Sequence, residues 1–198
     1  MGFFEDFKKV IRIYPDVKGV ARRMFVTNSL DGIVAGIGVD IGGFSHNADP
    51  LLLASSIIGG TVAMGVISGI LGVYLSERAE RIKEVKDLER KVASSLKDSI
   101  YWKAVKILPI YVALWSGIGI VLFPFLIALP YLLSAWGILP LYTAYLSSIG
   151  IGLGLMGVLG YYLGRISNEN IGIAVARVLA MGVAAIIIVK LLRLTLGV

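Results

Sequence analysis

Long apolar runs separated by short polar clusters organise this chain. Five of the runs are long enough to cross a bilayer, since each span needs about 20 apolar residues. They cover residues 26–44, 51–76, 107–129, 140–164 and 171–196. The turn Ser45-His46-Asn47-Ala48-Asp49-Pro50 separates the first two, with Asp49 as N-cap and Pro50 in the first helical position of the second. The second run passes without a breaker into a charged helix over residues 77–98. Pro109 and Pro124 fall inside or at the ends of the third span, which a membrane helix tolerates when neighbours satisfy the freed carbonyls. Residues 130–139 read as an uncharged loop and residues 165–170 as a polar turn. Before the first span, Phe3, Phe4, Phe7, Val10 and Ile11 recur at helical spacing and predict a short amphipathic helix lying on the membrane surface. Glu5 and Asp6, with no clean apolar core behind them, argue against a signal peptide. The pattern predicts an all-α, polytopic membrane protein: an N-terminal amphipathic segment over 1–25, then a five-helix membrane domain over 26–198.

Composition sharpens this reading. The chain has 198 residues, 57% of them hydrophobic and only 16% charged, where a soluble domain carries about 25% charged residues. The absence of cysteine excludes disulfides, thiolate metal sites and cysteine nucleophiles. The net charge of +6 comes from basic residues that flank the apolar runs. They are topology signals rather than a nucleic-acid footprint, so no nucleic-acid partner is expected. Lys8, Lys9, Arg12, Lys18, Arg22 and Arg23 precede span 1, nine Lys or Arg lie from Arg78 to Lys106, and Arg165 and Arg177 flank the span 4–5 turn. Five spans with a cytoplasmic N-terminus put all of these on one side. Only Lys190 and Arg193 fall on the other.

Glycine is the second organising feature. Gly32/Gly36, Gly38/Gly42, Gly65/Gly69 and Gly160/Gly164 are spaced four apart in apolar helices. Such spacing lets helix backbones approach closely where lipid supplies no hydrophobic drive. Tight packing is the ordinary outcome, and the density of glycine in spans 1 and 2 also points to a homodimer built around those spans.

Candidate chemistry is sparse. Asp31, in Asn28-Ser29-Leu30-Asp31-Gly32, lies within the apolar part of span 1, where a carboxylate costs about 2.5–3.5 kcal/mol at the bilayer centre. It must pair, titrate or bind a cation, unless it sits near enough to the interface to cap a helix or reach Arg22 or Arg23. Asp40 lies nine residues on, about 13.5 Å along the axis and half a turn round it, so the two cannot share one ligand shell. Asp40 is expected to be solvated near the outer end of the span, or else an exit-side relay for the metal. Met64 and Ser68 share a face of span 2. On the charged helix, Glu77, Glu80, Glu84, Asp87 and Asp98 fall within about 80° of arc. Ile82, Val85, Leu88, Val92 and Leu96 form an apolar stripe beside them. The acidic strip is either a solvated face laced with pairs such as Glu77–Arg81 and Asp87–Lys91, or a gathering site for hard divalent cations such as Mn²⁺ and Fe²⁺. His46, the only histidine, is expected in an exposed turn. Hydrolase, zinc-protease and nucleotide-loop motifs are absent, as is the phosphatidyltransferase pattern, so the chain does not read as an enzyme.

Asp31-Gly32-Ile33-Val34-Ala35-Gly36 is similar to the motif opening the vacuolar iron transporter family. Ile67-Ser68-Gly69-Ile70-Leu71-Gly72-Val73-Tyr74-Leu75, followed by Ser76 and Glu77, is similar to that family's second-span signature. The resemblance covers residues 27–84 and extends over the rest by topology. It implies a homodimer that moves Fe²⁺ or Mn²⁺ out of the cytoplasm in exchange for protons, with Asp31 as the membrane carboxylate that binds metal. Gly69 and Thr61 stand where the family usually has methionine and glutamate. The large helical metal-binding domain of its eukaryotic members is absent, or reduced here to the acidic strip.

These lines converge on a multi-pass integral membrane transporter of Fe²⁺ or Mn²⁺, coupled to protons, with no tightly bound cofactor. Asp31 would alternate between proton and metal, with Asn28, Ser68 and Met64 completing its shell. Asp40 and the strip of Glu77, Glu80, Glu84 and Asp87 are the remaining metal-handling candidates. The competing reading is a non-transporting membrane scaffold or subunit that docks a soluble partner through helix 77–98.

Overall fold

The structure, a computed structural model, describes residues 3–44, 47–97 and 99–196. These residues form helices and turns, with no strand among them. In chain order the elements are α1 (Phe3–Ile13), α2 (Val17–Gly43), α3 (Pro50–Met64), a π-helix (Gly65–Gly72), α4 (Val73–Val92), α5 (Ile100–Ala135), α6 (Leu141–Ser167) and α7 (Ile171–Leu196). α3, the π-helix and α4 run on without interruption. Among the described residues, five helices are long and apolar enough to cross a membrane: Val17–Gly43, Pro50–Val92, Ile100–Ala135, Leu141–Ser167 and Ile171–Thr195. The chain divides into two compact units, one of Met1–Asn28 with Gly65–Ile118, the other of Ser29–Met64 with Gly119–Val198.

In the first unit, Val10, Val17, Ala21, Ala104, Leu108 and Val112 form the core. Val10 and the half-buried Phe7 and Ile11 place the apolar face of α1 against α2 and α5. That face therefore meets protein, not the lipid surface expected of it; the side chains of Phe3 and Phe4 lie outside the described residues. Phe7 packs edge-on to Tyr111 with centroids 5.8 Å apart. Lys103 Nζ donates to both carboxylate oxygens of Asp6, at 2.8 and 2.9 Å. α2 starts nine residues earlier than the hydropathy of span 1 indicated, because Val17 and Ala21 are buried while Lys18, Arg22 and Arg23 face outward. Tertiary packing carries the helix through a turn whose composition reads as interfacial.

α4 ends at Val92, short of residue 98. Ala93 adopts a left-handed conformation (φ 50°) and its N–H bonds back to the Glu89 carbonyl, a helix-terminating arrangement. The Glu89 carboxylate accepts from the Leu96 amide at 2.8 Å and from the Trp102 indole at 3.2 Å, tying the connection to the start of α5. Within the apolar stripe of α4, Val85 is buried while Val92 is half exposed. Asp98 lies outside the described residues.

In the second unit, Ile33, Ile37, Ile41, Ile57, Ile127 and Met156 are buried together with Tyr131. Glycines set the helix spacing. A Cβ on Gly32 would stand 3.2 Å from the Ile120 Cα and from Pro124 Cγ, and one on Gly152 would stand 2.8 Å from the Ile37 side chain. Gly160 and Gly164 pack α6 on α7: added Cβ atoms would come to 2.7 Å from Val175 Cα and 3.2 Å from Ile171 Cα. α5 continues through Pro130 to Ala135, so the loop expected over 130–139 shrinks to its last few residues. Gly137 (φ +74°) closes the helix: its N–H bonds to the Ser134 carbonyl at 2.9 Å, and the Ile138 N–H to that of Leu133 at 3.0 Å. This pair of bonds requires a left-handed residue, which glycine adopts without steric cost. α3 begins as its sequence indicates, with the Leu51 amide capped by Asp49 Oδ1 at 2.9 Å.

Candidate functional site

α2 carries two carboxylates in the second unit, and they take opposite faces. Nine residues at 100° each amount to half a turn, so a helix that buries one exposes the other. Asp31 is the exposed one. It lies near the middle of α2 and forms no hydrogen bond or ion pair with any described residue. Neither Arg22 nor Arg23 pairs with it, and it caps no helix end.

Asp40 is the buried one, at 0% exposure. This corrects the expectation that it is solvated. The Tyr131 hydroxyl, itself on a fully buried side chain, donates to Asp40 Oδ1. Ser148 stands beside the carboxyl but commits its proton to the Ile127 carbonyl at 2.8 Å. Asp40 Oδ2 is buried and has no hydrogen-bond partner. At the same end of α2, Phe44 stacks on Tyr145 with ring centroids 4.0 Å apart, and an Arg193 nitrogen of α7 donates to the Ile41 carbonyl at 3.2 Å.

The first unit holds a second polar chain. The Asn28 amide donates to Ser116 Oγ, and the Ser116 hydroxyl donates to the Gly69 carbonyl in the π-helix. Ser116 is fully buried. Asn28, expected in the shell of Asp31, is thus engaged by α5. Ser68, on the π-helix, is exposed; Met64, the last residue of α3, is 43% exposed. Short π-helical stretches within α-helices are frequent at functional positions, and this one contains the Ile67-Ser68-Gly69 sequence.

The acidic strip is organised by a basic residue inside it. Arg81 is only 6% exposed and reaches Glu84 at 2.8 Å and Glu77 at 3.8 Å. Its guanidinium lies 5.2 Å from the centroid of the Tyr14 ring, a cation–π contact. Asp87 pairs with Arg90 at 3.4 Å, the position three residues on, in place of Lys91. Glu80 faces outward. Among the described residues no three His, Cys, Asp or Glu side chains gather where they would hold a metal ion. His46 and Asp98 lie outside the described residues.

Sequence reasoning missed Tyr131, Ser148 and Ser116. Each is one polar group in an apolar run, with partners 91, 21, and 88 or 47 residues away in sequence. The available signal was slight: Tyr131 falls in residues that read as a loop, and Ser116 and Ser148 are serines within the apolar runs of spans 3 and 4.

No family model matches the chain. The uncharacterized protein MJ0645 of Methanocaldococcus jannaschii is 32% identical to it over 170 residues, covering 84% of this chain and 85% of that protein. The identity extends over nearly the full length of both, and the chain belongs to the same family as this archaeal protein.

Proposed function

We propose that the chain is a divalent-cation transporter that moves Fe²⁺ or Mn²⁺ out of the cytoplasm in exchange for protons, working as a homodimer with its N-terminus in the cytoplasm. The observation that carries the reading is Asp31: an unpaired carboxylate on the exposed face of an apolar helix long enough to cross a membrane. Facing lipid, such a group costs about 2.5–3.5 kcal/mol. A second copy opposite it, with a cation shared between the two carboxylates, removes that cost. Ala35, Gly38 and Gly42 fall within about 40° of Asp31 around α2, giving a face on which another helix can come close. An added Cβ on Gly42 of α2, or on Gly59 or Gly60 of α3, would touch nothing within 4 Å, unlike Gly32 and Gly160, which serve packing inside the chain. The resemblance of residues 31–36 and 67–77 to the vacuolar iron transporter family supports the same reading. Oxygen ligands suit Mn²⁺ and, with less preference, Fe²⁺.

The acidic strip takes a lesser place in this scheme. A cation gathered there has to displace Arg81 from Glu77 and Glu84. That neutralised strip favours a second reading, in which α4 docks a soluble partner and the chain is a non-transporting subunit.

Reconstitution into proteoliposomes separates the two. The transport reading expects Mn²⁺ or Fe²⁺ movement that Asp31→Ala and Asp31→Asn abolish while the dimer persists. Unchanged flux in those variants, or no flux from the wild-type chain together with one stoichiometric soluble partner, sinks it.

A further inference from the structure

We infer that Asp40 is the proton-carrying group of this exchange, held as a neutral acid with its proton on Oδ2; the inference rests on the transport reading above. The geometry leaves this carboxyl few alternatives. It is fully buried, receives one hydrogen bond, from Tyr131, and leaves Oδ2 without a partner. An ionised carboxylate buried with a single neutral donor is strongly disfavoured, because nothing compensates its lost hydration. A neutral acid pays far less, the cost of one buried O–H without an acceptor. The groups facing it from the packed helices are Tyr131 of α5, Tyr145 and Ser148 of α6, and Arg193 of α7. Ser148 donates to Ile127 instead, and no cationic side chain among the described residues bonds to Asp40.

Position gives the acid its use. Asp40 lies three residues before the end of α2, one turn from the connection to α3. It is separated from Asp31 by about 13.5 Å along the axis and half a turn round it. Metal and proton are therefore held by different carboxylates on opposite faces of one helix. A proton binds the carboxylate at Oδ2 and leaves from the same oxygen, while Tyr131 keeps its own proton and continues to donate to Oδ1. In a dimer the charges balance: two Asp40 groups carry two protons against one doubly charged ion held between two Asp31 groups. The exchange is then electrically neutral.

The test uses the full chain in proteoliposomes with Mn²⁺ as the ion, an internal pH dye and an imposed membrane potential. Wild type should move Mn²⁺ with a proton counter-flux and show no response to the potential. Asp40→Asn should lose the counter-flux and make any Mn²⁺ movement potential-sensitive. A counter-flux that survives Asp40→Asn overturns the assignment while leaving the transport reading standing; a wild-type chain that moves no Mn²⁺ overturns both. An infrared difference spectrum of wild type against Asp40→Asn reads the protonation state without transport. The carbonyl band of a protonated carboxylic acid should be present at neutral pH and should shift in Tyr131→Phe, a variant that keeps the carboxyl. A carboxylate band in its place, or Mn²⁺ movement that requires Na⁺ instead of protons, overturns the assignment.

Discussion

Gly160 of α6 lies against Val175 of α7 so closely that a single added methyl group would stand 2.7 Å from the Val175 Cα. The atom it would meet is backbone, which cannot rotate away. Gly157, one turn earlier on the same helix, would meet nothing within 4 Å. Gly160→Ala should therefore destabilise the chain by about 1–3 kcal/mol, the usual cost of overpacking, while Gly157→Ala should be neutral or slightly stabilising. Unfolding midpoints in detergent compare the two. Equal effects would mean that α6 and α7 do not meet at Gly160.

Arg81 sits between Glu77 and Glu84 with its side chain 7% exposed, and Glu77 is 14% exposed. Arg81→Met should cost about 3–5 kcal/mol, because it leaves a buried carboxylate without its counter-charge. Glu80→Gln on the outward face should change stability by no more than about 0.5 kcal/mol. If both are silent in thermal unfolding, Arg81 does not organise the strip.

Ser116 joins Asn28 to the Gly69 carbonyl. Ser116→Ala removes the acceptor of one group and the donor to the other, and should cost about 1–3 kcal/mol. Faster amide exchange over residues 65–72 should accompany the loss. A variant as stable as wild type, with unchanged exchange, would show that the bond to Gly69 contributes nothing.

The hydrogen bonds from Lys103 hold the Asp6 carboxyl below the usual carboxylate range. A depressed value in the folded state stabilises the docked α1 at every pH above the unfolded value, and the effect is lost as pH falls through the lower, folded one. Docking of α1 should thus be flat from neutral pH to about pH 5 and weaken only in stronger acid. Asp6→Asn should abolish that acid step. Protease cleavage between α1 and α2, followed against pH, reads it; a step near neutrality would contradict the assignment.

The five apolar helices were legible because about 20 consecutive apolar residues admit few other readings, and the last of them begins and ends where its hydropathy does. Helix ends were less legible. Val17 and Ala21 extend α2 through a basic turn because they pack on α5. Pro130 reads as a loop residue yet lies within α5, whose end is set by Gly137. The site was harder still. α2 is apolar nearly all round, so its sequence shows that Asp31 and Asp40 face opposite ways but not which of them faces inward. That depends on Tyr131, on a different helix. Glu77 and Glu84 were visible as an acidic strip, whereas the burial of Arg81 among them required Tyr14 from the connection between α1 and α2.

The π-helix between Met64 and Val73 fixes more than the placement of Ser68. Its wider winding sets the rotational phase at which α4 leaves it, and so the direction in which Arg81 points toward Tyr14. Adding one residue to this stretch would turn every later side chain by about 100°, taking Arg81 off the ring. The segment should therefore tolerate the loss of a residue, which rewinding absorbs, better than the gain of one.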